Sequence, residues 1–422
     1  MRELIDRRAG HGVSATYAMR PFTAMARLVE ARWASPGVRQ LVNVFYRIKS
    51  WELLLRNLLG ARNRELTEQR FCEKPFEHFE STETGSVHLC CSFWLPAAVG
   101  DLNSDSPRDI WNSERAQDIR RDILKGSFKY CDAELCVRIR ANSLPTVAQA
   151  KQNPVHQRII ENKITRLDSQ PTFFNLSHDR SCNLACPSCR TRKIAFNEGS
   201  AYVRRKRIHD KVVGAFLDEA TNRAFTLQVT SSGDAFGSRI FREFLQDLDG
   251  SKFPNMKVWL QTNGVLFTDK MWSRIGRIHG NIEYLYVSID AASEATYNIT
   301  RRGGHWGQLL KNMEHLSPLC RQSGIKLQFH FVVQQANYRE MADFVEIGRR
   351  YQVDSVHFMK VVNWGTWTVA QFEEVGVWRP DHAEFAEFLR MLSRPIFDDT
   401  IVSLGNLTQE HALAKRRYSM AH

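Results

Sequence analysis

The chain lacks most of the features that would assign it to a class at a glance. None of its 422 residues fall in an uninterrupted apolar run approaching about 18 positions, so no membrane span is expected. The charged N-terminus (MRELIDRRAG) has no clean apolar stretch ending in a small-residue cleavage site, so export is not indicated. Nine cysteines are too dilute for a disulfide-held scaffold. The formal charge of +12 comes without a dense Lys/Arg tract or an RNA-binding signature, which argues against nucleic acid as a partner and leaves other anionic partners open.

What is present is ordered and uneven. Apolar residues make up 43% and charged residues 25%, the balance of a globular protein with ample length for a large core. The first 70 residues carry 13 Arg or Lys against 6 Asp or Glu. From residue 20 to 67 apolar and basic positions alternate at roughly helical spacing, which predicts two or three amphipathic helices: a cap on the body, or a face for a membrane surface or a partner. Residues 71–140 are turn-rich, with one good helix near 109–125, and hold Cys72, Cys90, Cys91, Cys131 and Cys136. So little apolar mass makes a metal staple physically attractive there. Residues 141–168 read as a linker.

After residue 170 strands and helices alternate. Strands are expected at 172–177, 225–230, 257–262, 282–289, 325–333 and 355–361. Helices are expected at about 208–222, 237–248, 269–276, 306–321 and 338–351, and a last one at 381–393 in the C-terminal helical extension 366–422. Six strands with five crossovers predict an α/β fold with a parallel sheet, curled as a partial (β/α)6 TIM-type barrel over 169–365. Chemistry then belongs at the C-terminal strand ends.

The segment DRSCNLACPSCRTR, just after the first of these strands, puts Cys182, Cys186 and Cys189 in a C-x3-C-x2-C pattern. A structural zinc takes four ligands, and here only His178 or the remote Cys320 could be added. Iron–sulfur clusters also take soft thiolates, and a cubane held by three leaves one iron open to a ligand. Paired thiol clusters without an export signal point to metal ligation in a reducing cytoplasm.

Over about 170–365 the chain resembles the radical S-adenosylmethionine (SAM) superfamily, whose members carry this cysteine triplet after the first strand of a partial barrel. The resemblance implies a [4Fe–4S] cluster on Cys182, Cys186 and Cys189, with SAM chelated at the open iron. It also implies reductive cleavage of SAM to a 5′-deoxyadenosyl radical that abstracts a substrate hydrogen, with a reductant such as flavodoxin or ferredoxin as partner. Motifs at successive strand ends supply the expected cofactor-binding residues. Ser232-Gly233-Asp234 is similar to the family's methionine-binding motif, with Asp234 as acceptor for the amino group. Asn263 ends the third strand. Ser288 and Asp290 end the fourth, near ribose or substrate. Arg301 or Arg302 would take a carboxylate or other anion, Val333 would touch adenine, and Gln334 or Asn337 would face the pocket. Lys360 and Asn363 would stand near the mouth. Ser188 occupies a position that is often aromatic in the family, so adenine stacking is assigned to no residue.

Residues 71–136 resemble the auxiliary-cluster module called twitch or SPASM, through Gly85 to Cys90, Gly100-Asp101-Leu102, Ile110-Trp111, Cys131 and Cys136. This implies a second [4Fe–4S] cluster on Cys72, Cys90, Cys131 and Cys136. A zinc ribbon-like fold would use the same thiols. Cys91, if in a strand, would point away from Cys90. The module ordinarily follows the barrel and here precedes it. The expected activity is oxidation or epimerisation of a sugar-like or other small polar substrate, with Trp306, Trp364 and Trp367 around the mouth. The alternatives are a maturase of ribosomally made peptides or proteins, and a radical transferase on nucleotide- or lipid-linked substrates. A nonenzymatic cluster scaffold is a further class.

Overall fold

Strand β1 (His78–Thr82) does not stay within the small cysteine-rich region. It pairs in parallel with β4 (Phe173–Ser177), bringing Glu80 opposite Asn175. The computed structural model describes residues 70–418 apart from 134, 219 and 220, so the helical reading of the N-terminal segment lies outside the described residues.

The remaining strands are β2 (Ser86–His88), β3 (Gly100–Asp101), β5 (Phe225–Val229), β6 (Met256–Thr262), β7 (Ile282–Ser288), β8 (Lys326–Val333), β9 (Ser355–Lys360) and β10 (Val402–Ser403). They form one sheet in the order β10-β9-β8-β7-β6-β5-β4-β1-β2-β3. The six expected barrel strands, β4 to β9, are all parallel neighbours. Period-two alternation positions them: β6 and β8 alternate fully buried residues with half-buried or exposed ones. Helices Gly199–Phe216, Arg239–Asp247, Asp269–Arg274, Trp306–Gln322 and Met341–Arg350 cross between them. The first of these begins and ends earlier than its apolar spacing predicts.

Three features go beyond the sequence reading. The row of parallel strands gains β1 at one side and β10 at the other. The linker 141–168 is packed onto the module. Asn112 Nδ2 donates to Leu167 O at 2.7 Å, and the buried Arg120 donates to Thr165 O at 3.0 Å. The C-terminal extension contributes a strand as well as the helices Val369–Val375, Phe385–Leu392 and Thr408–Tyr418.

Candidate active site

The loop from β4 to the helix Gly199–Phe216 carries the three cysteines, and its shape is fixed before any thiol is considered. Asp179, fully buried, accepts from the Ser181 amide (3.0 Å) and hydroxyl (2.8 Å) and from Ser238 Oγ (2.7 Å). Ser238 in turn caps the helix Arg239–Asp247. Cys182 bridges to Ile194, and the Cys189 and Arg190 amides both donate to Cys186 O at 2.9 Å, closing a turn. On the far side, Arg302 Nε donates to Ala185 O and its Nη2 to Thr191 O, while the Ala185 amide donates to Arg302 O.

The glycine motif after β5 is pressed onto this loop. Gly233 has φ +82°, and a Cβ there would stand 2.7 Å from Ser181 O and 2.9 Å from Asp179 O, both backbone atoms. The Asp234 amide donates to Ser181 O at 2.9 Å. A Gly233→Ala variant is therefore expected to lose about 2–3 kcal/mol from the positive φ and the backbone collision together, seen as a lower denaturation midpoint. It should also bind SAM more weakly than the parent, because relief requires the cysteine loop to move.

All three thiols line one cavity of about 850 Å³. Burial pushes the Cys182 thiol up to about 12 and raises Cys186 less, with Arg301 opposing. Burial also acts to raise Cys189, but Arg190 and Arg180 outweigh it and hold that thiol below its usual range. Arg190 Nη2 lies 3.3 Å from Cys189 Sγ, Arg301 Nη1 3.8 Å from Cys186 Sγ and Asn263 Nδ2 3.7 Å from Cys182 Sγ. Each thiol thus has an N–H donor that favours its thiolate.

Among the described residues no three Cys, His, Asp or Glu side chains come together to hold a single metal ion. Three thiols spaced around one cavity, each with its own donor, fit a cluster in which each binds a different iron. His178 takes no part: its two ring nitrogens are taken up by Ser81 Oγ (2.9 Å) and His209 Nδ1 (3.2 Å). Cys320 is buried in the core on the helix Trp306–Gln322.

The cofactor residues expected from the strand ends divide into two groups. Ser232, Gly233, Asn263, Ser288, Asp290 and Arg301 line the cavity. The others have different duties. Asp234 Oδ1 accepts from the Phe236 and Gly237 amides, and Oδ2 from Thr262 Oγ1, Asn263 N and Asn263 Nδ2, at 2.7–3.0 Å. Five donors exhaust a carboxylate with about four lone-pair sites, so Asp234 braces β5 against β6 and has no acceptor left for an ammonium. Arg302 clamps the cysteine loop and is absent from the cavity wall. Val333 is fully buried in the core, and its neighbour Val332 faces the cavity instead, because side chains alternate along β8. Gln334 sits in the turn beyond, where its amide donates to Asn337 Oδ1. Asn337 Nδ2 donates to Asp290 O and Val332 O, and Asn363 folds back on Gly365 and Trp367.

Asp290, at φ +59° and 1% exposed, forms an ion pair with Arg301 at 2.7 Å. Burial raises the Asp290 carboxyl, against the pull of Arg301. Arg301 is thereby occupied by the protein itself. Lys360 lines the cavity but is held by Glu410 at 2.7 Å.

The second set of thiols gathers in the module. Cys90, Cys131 and Cys72 are each raised by burial first, Cys72 to about 12; Cys72 and Cys136 then raise Cys90 and Cys131 further, while Glu73 and Cys136 do so for Cys72. Arg138 stands 3.9 Å from Cys72 Sγ and pairs with Glu73. Cys90 and Cys91 lie beyond the end of β2, not in a strand, and both reach the cavity wall. The same cavity therefore runs from the cysteine triplet to the module, with Phe93, Trp94, Leu135 and Trp364 at its margin. Phe93 and Trp364 meet edge to face at 4.3 Å across the two regions. Sequence reasoning missed Arg180 and Arg190, although both flank the triplet, and Glu80 and His78, whose place depends on the β1–β4 pairing.

Comparison with known proteins bears on the same two stretches. The profile described as the radical SAM superfamily matches residues 176–347, and one described as an iron–sulfur cluster-binding domain (SPASM) matches residues 72–136. No curated protein matches the chain. Solved structures that match include Streptococcus suis SuiB bound to precursor peptide SuiA, at 14% identity over 60% of this chain and 55% of that one, TM-score 0.33. Another is native anSMEcpe with bound AdoMet, at 17% identity over 52% and 57%, TM-score 0.36. A third is S. suis SuiB bound to S-adenosylmethionine, at 12% over 74% and 62%, TM-score 0.36. The chain thus spans 55–62% of the length of these structures, and likeness at this level does not carry a substrate across. It is the two profile matches, falling on the cysteine loop with its barrel and on the thiol-rich module, that carry the assignment: residues 176–347 match the radical SAM superfamily, with a SPASM-type iron–sulfur cluster-binding module ahead of them at 72–136.

Proposed function

We propose that the chain is a radical SAM enzyme that removes a hydrogen atom from a side chain of a peptide or protein presented at the aromatic margin of its cavity. The observation that carries this reading is the continuity of one cavity from Cys182, Cys186 and Cys189 to Cys90 and Cys91. When bound at the triplet, a [4Fe–4S] cluster and SAM supply one-electron cleavage of the sulfonium and a carbon radical able to take an unactivated hydrogen, chemistry that side chains cannot perform.

The protein's own part is positional and electrostatic. Arg180, Arg190 and Arg301 offset thiolate charge on three sides. Gly233 permits close backbone approach, and Ser232, Asn263 and Ser288 present hydrogen-bonding groups to the SAM side of the cavity. Cys72, Cys90, Cys131 and Cys136 would hold the second cluster. Four thiolates leave none of its irons vacant, which suits a carrier of electrons rather than a substrate ligand. An external one-electron donor such as flavodoxin or ferredoxin completes the set.

The sequence favours a small polar or anionic substrate, and the cavity supports that less well. Of its two proposed anion ligands, Arg301 is engaged by Asp290 and Arg302 by the cysteine loop. The margin is instead apolar, with Leu135 41% and Trp364 49% exposed, and so suits a chain lying across it. One observation favours the small polar substrate: Asn175, Gln228 and Gln261 all face the cavity interior. Oxidation, epimerisation and bond formation share the first step proposed here.

Anaerobic protein supplied with iron, sulfide, SAM and dithionite is expected to form 5′-deoxyadenosine, and side-chain-deuterated peptides to transfer deuterium into it. Failure to cleave SAM would overturn the enzyme reading. Deuterium arriving from labelled polyols but not from peptides would return the small polar substrate.

A further inference from the structure

The floor of the cavity holds polar side chains that no cofactor role accounts for. Because Glu80 stands opposite Asn175 and His78 opposite Phe173, the module's first strand forms part of the barrel's inner wall. Glu80 is 5% exposed; its Oε2 accepts from Asn175 Nδ2 at 3.0 Å and its Oε1 from the Ser92 amide at 3.3 Å. Asn175 is oriented by its own acceptor, Oδ1, which takes the hydroxyls of Ser177 and Ser231 at 3.0 Å each. With two of about four lone-pair sites used, the carboxylate keeps acceptor capacity toward the cavity.

His78 lies beside it, stacked on Phe173 at 4.9 Å and 12°. Its side chain is 8% exposed, and neither ring nitrogen makes a hydrogen bond. Nε2 stands 3.6 Å from Glu80 Oε2, beyond hydrogen-bond reach. Burial pushes the imidazole below its usual range, so the ring is neutral and offers an acceptor nitrogen. Among the described residues no Lys or Arg forms an ion pair with Glu80; Lys74, which also lines the cavity, sits over the Phe173 ring at 5.1 Å.

A buried carboxylate with spare acceptors, next to a buried imidazole and, among the described residues, with no Lys or Arg bonded to it, is complementary to a charged N–H donor. We infer that Glu80 and His78 form a substrate subsite for a cationic nitrogen, an ammonium or guanidinium, carried by the peptide. This deepens the function proposed above and rests on it only for the word peptide.

The test uses the anaerobically reconstituted full chain and calorimetric titration with Nα-acetyl-lysine methylamide, Nα-acetyl-arginine methylamide and the neutral Nα-acetyl-norleucine methylamide. At least one cationic probe is expected to bind roughly tenfold tighter than the norleucine probe, and Glu80→Gln to remove that preference. His78→Phe, which keeps the stack on Phe173, is expected to reduce the preference, and it serves as the deciding variant should Glu80→Gln not fold. Equal binding of charged and neutral probes by the parent protein would overturn the subsite, as would a preference that survives both substitutions. Cation preference without peptide-dependent deuterium transfer would leave the subsite standing and remove the peptide reading.

Discussion

Replacing Cys186 by alanine is expected to lower 5′-deoxyadenosine formation at least about a hundredfold, since even the hydrogen-bonding partners of a metal ligand are commonly worth 10–100-fold. The thiol is buried at the cavity wall with Arg301 3.8 Å from its sulfur, and alanine supplies neither a ligand nor a polar atom for that guanidinium. Iron is expected to fall from about eight to about four per chain if each thiol set holds one cubane. The reciprocal variant, Cys131→Ala with Cys136→Ala, should lose the other half of the iron and keep SAM affinity, because those thiols lie in the module and outside the cavity lining. Iron analysis and nucleoside quantification on the same samples check both. A parent protein with only about four irons would remove the second cluster.

The second large effect is expected at Arg301. Its guanidinium pairs with Asp290 at 2.7 Å, and Asp290 is held in place because its Oδ1 also accepts from the Val332 amide at 2.7 Å. Arg301→Leu strands that carboxylate in a buried position, which costs about 3–5 kcal/mol when one partner of a buried pair is removed. Adding Asp290→Asn removes the stranded charge and should recover much of the loss, since replacing both partners is far milder than breaking the pair. Denaturant midpoints of the parent, the single variant and the double variant provide the check. Recovery would show that Arg301 serves the fold as well as the thiolate. Without recovery, the loss would have to come from its contact with Cys186.

Most of the six barrel strands were legible because they alternate cleanly, as in IKLQFHFVV, where every second residue from Leu327 to Val333 is buried; β4, buried at four successive residues, was legible from its apolar run instead. Strand ends also announced the cavity, since a parallel barrel puts its loops there. Side-chain direction at those ends was not legible. One residue of parity exchanges Val332 for Val333, and no composition records it. Asp234 illustrates a different gap. An acidic residue beside glycine reads as a ligand, but the same carboxylate can be consumed by neighbouring amides once the loop folds, and only coordinates count the donors. The pairing of β1 with β4 was hidden for a third reason. HFEST is short and polar, and its partner lies about a hundred residues away, beyond any local pattern.

That pairing has a consequence for how the molecule comes to be made. During synthesis, in the N-to-C order, β1 leaves the ribosome well before the strand it must lie against, and it stays a raw hydrogen-bonding edge until β4 arrives. Neither region is then a detachable part: a barrel expressed from residue 170 onward would begin with an uncovered β4, inviting pairing with a second copy. The two regions are one folding unit, joined by backbone rather than by a docked surface.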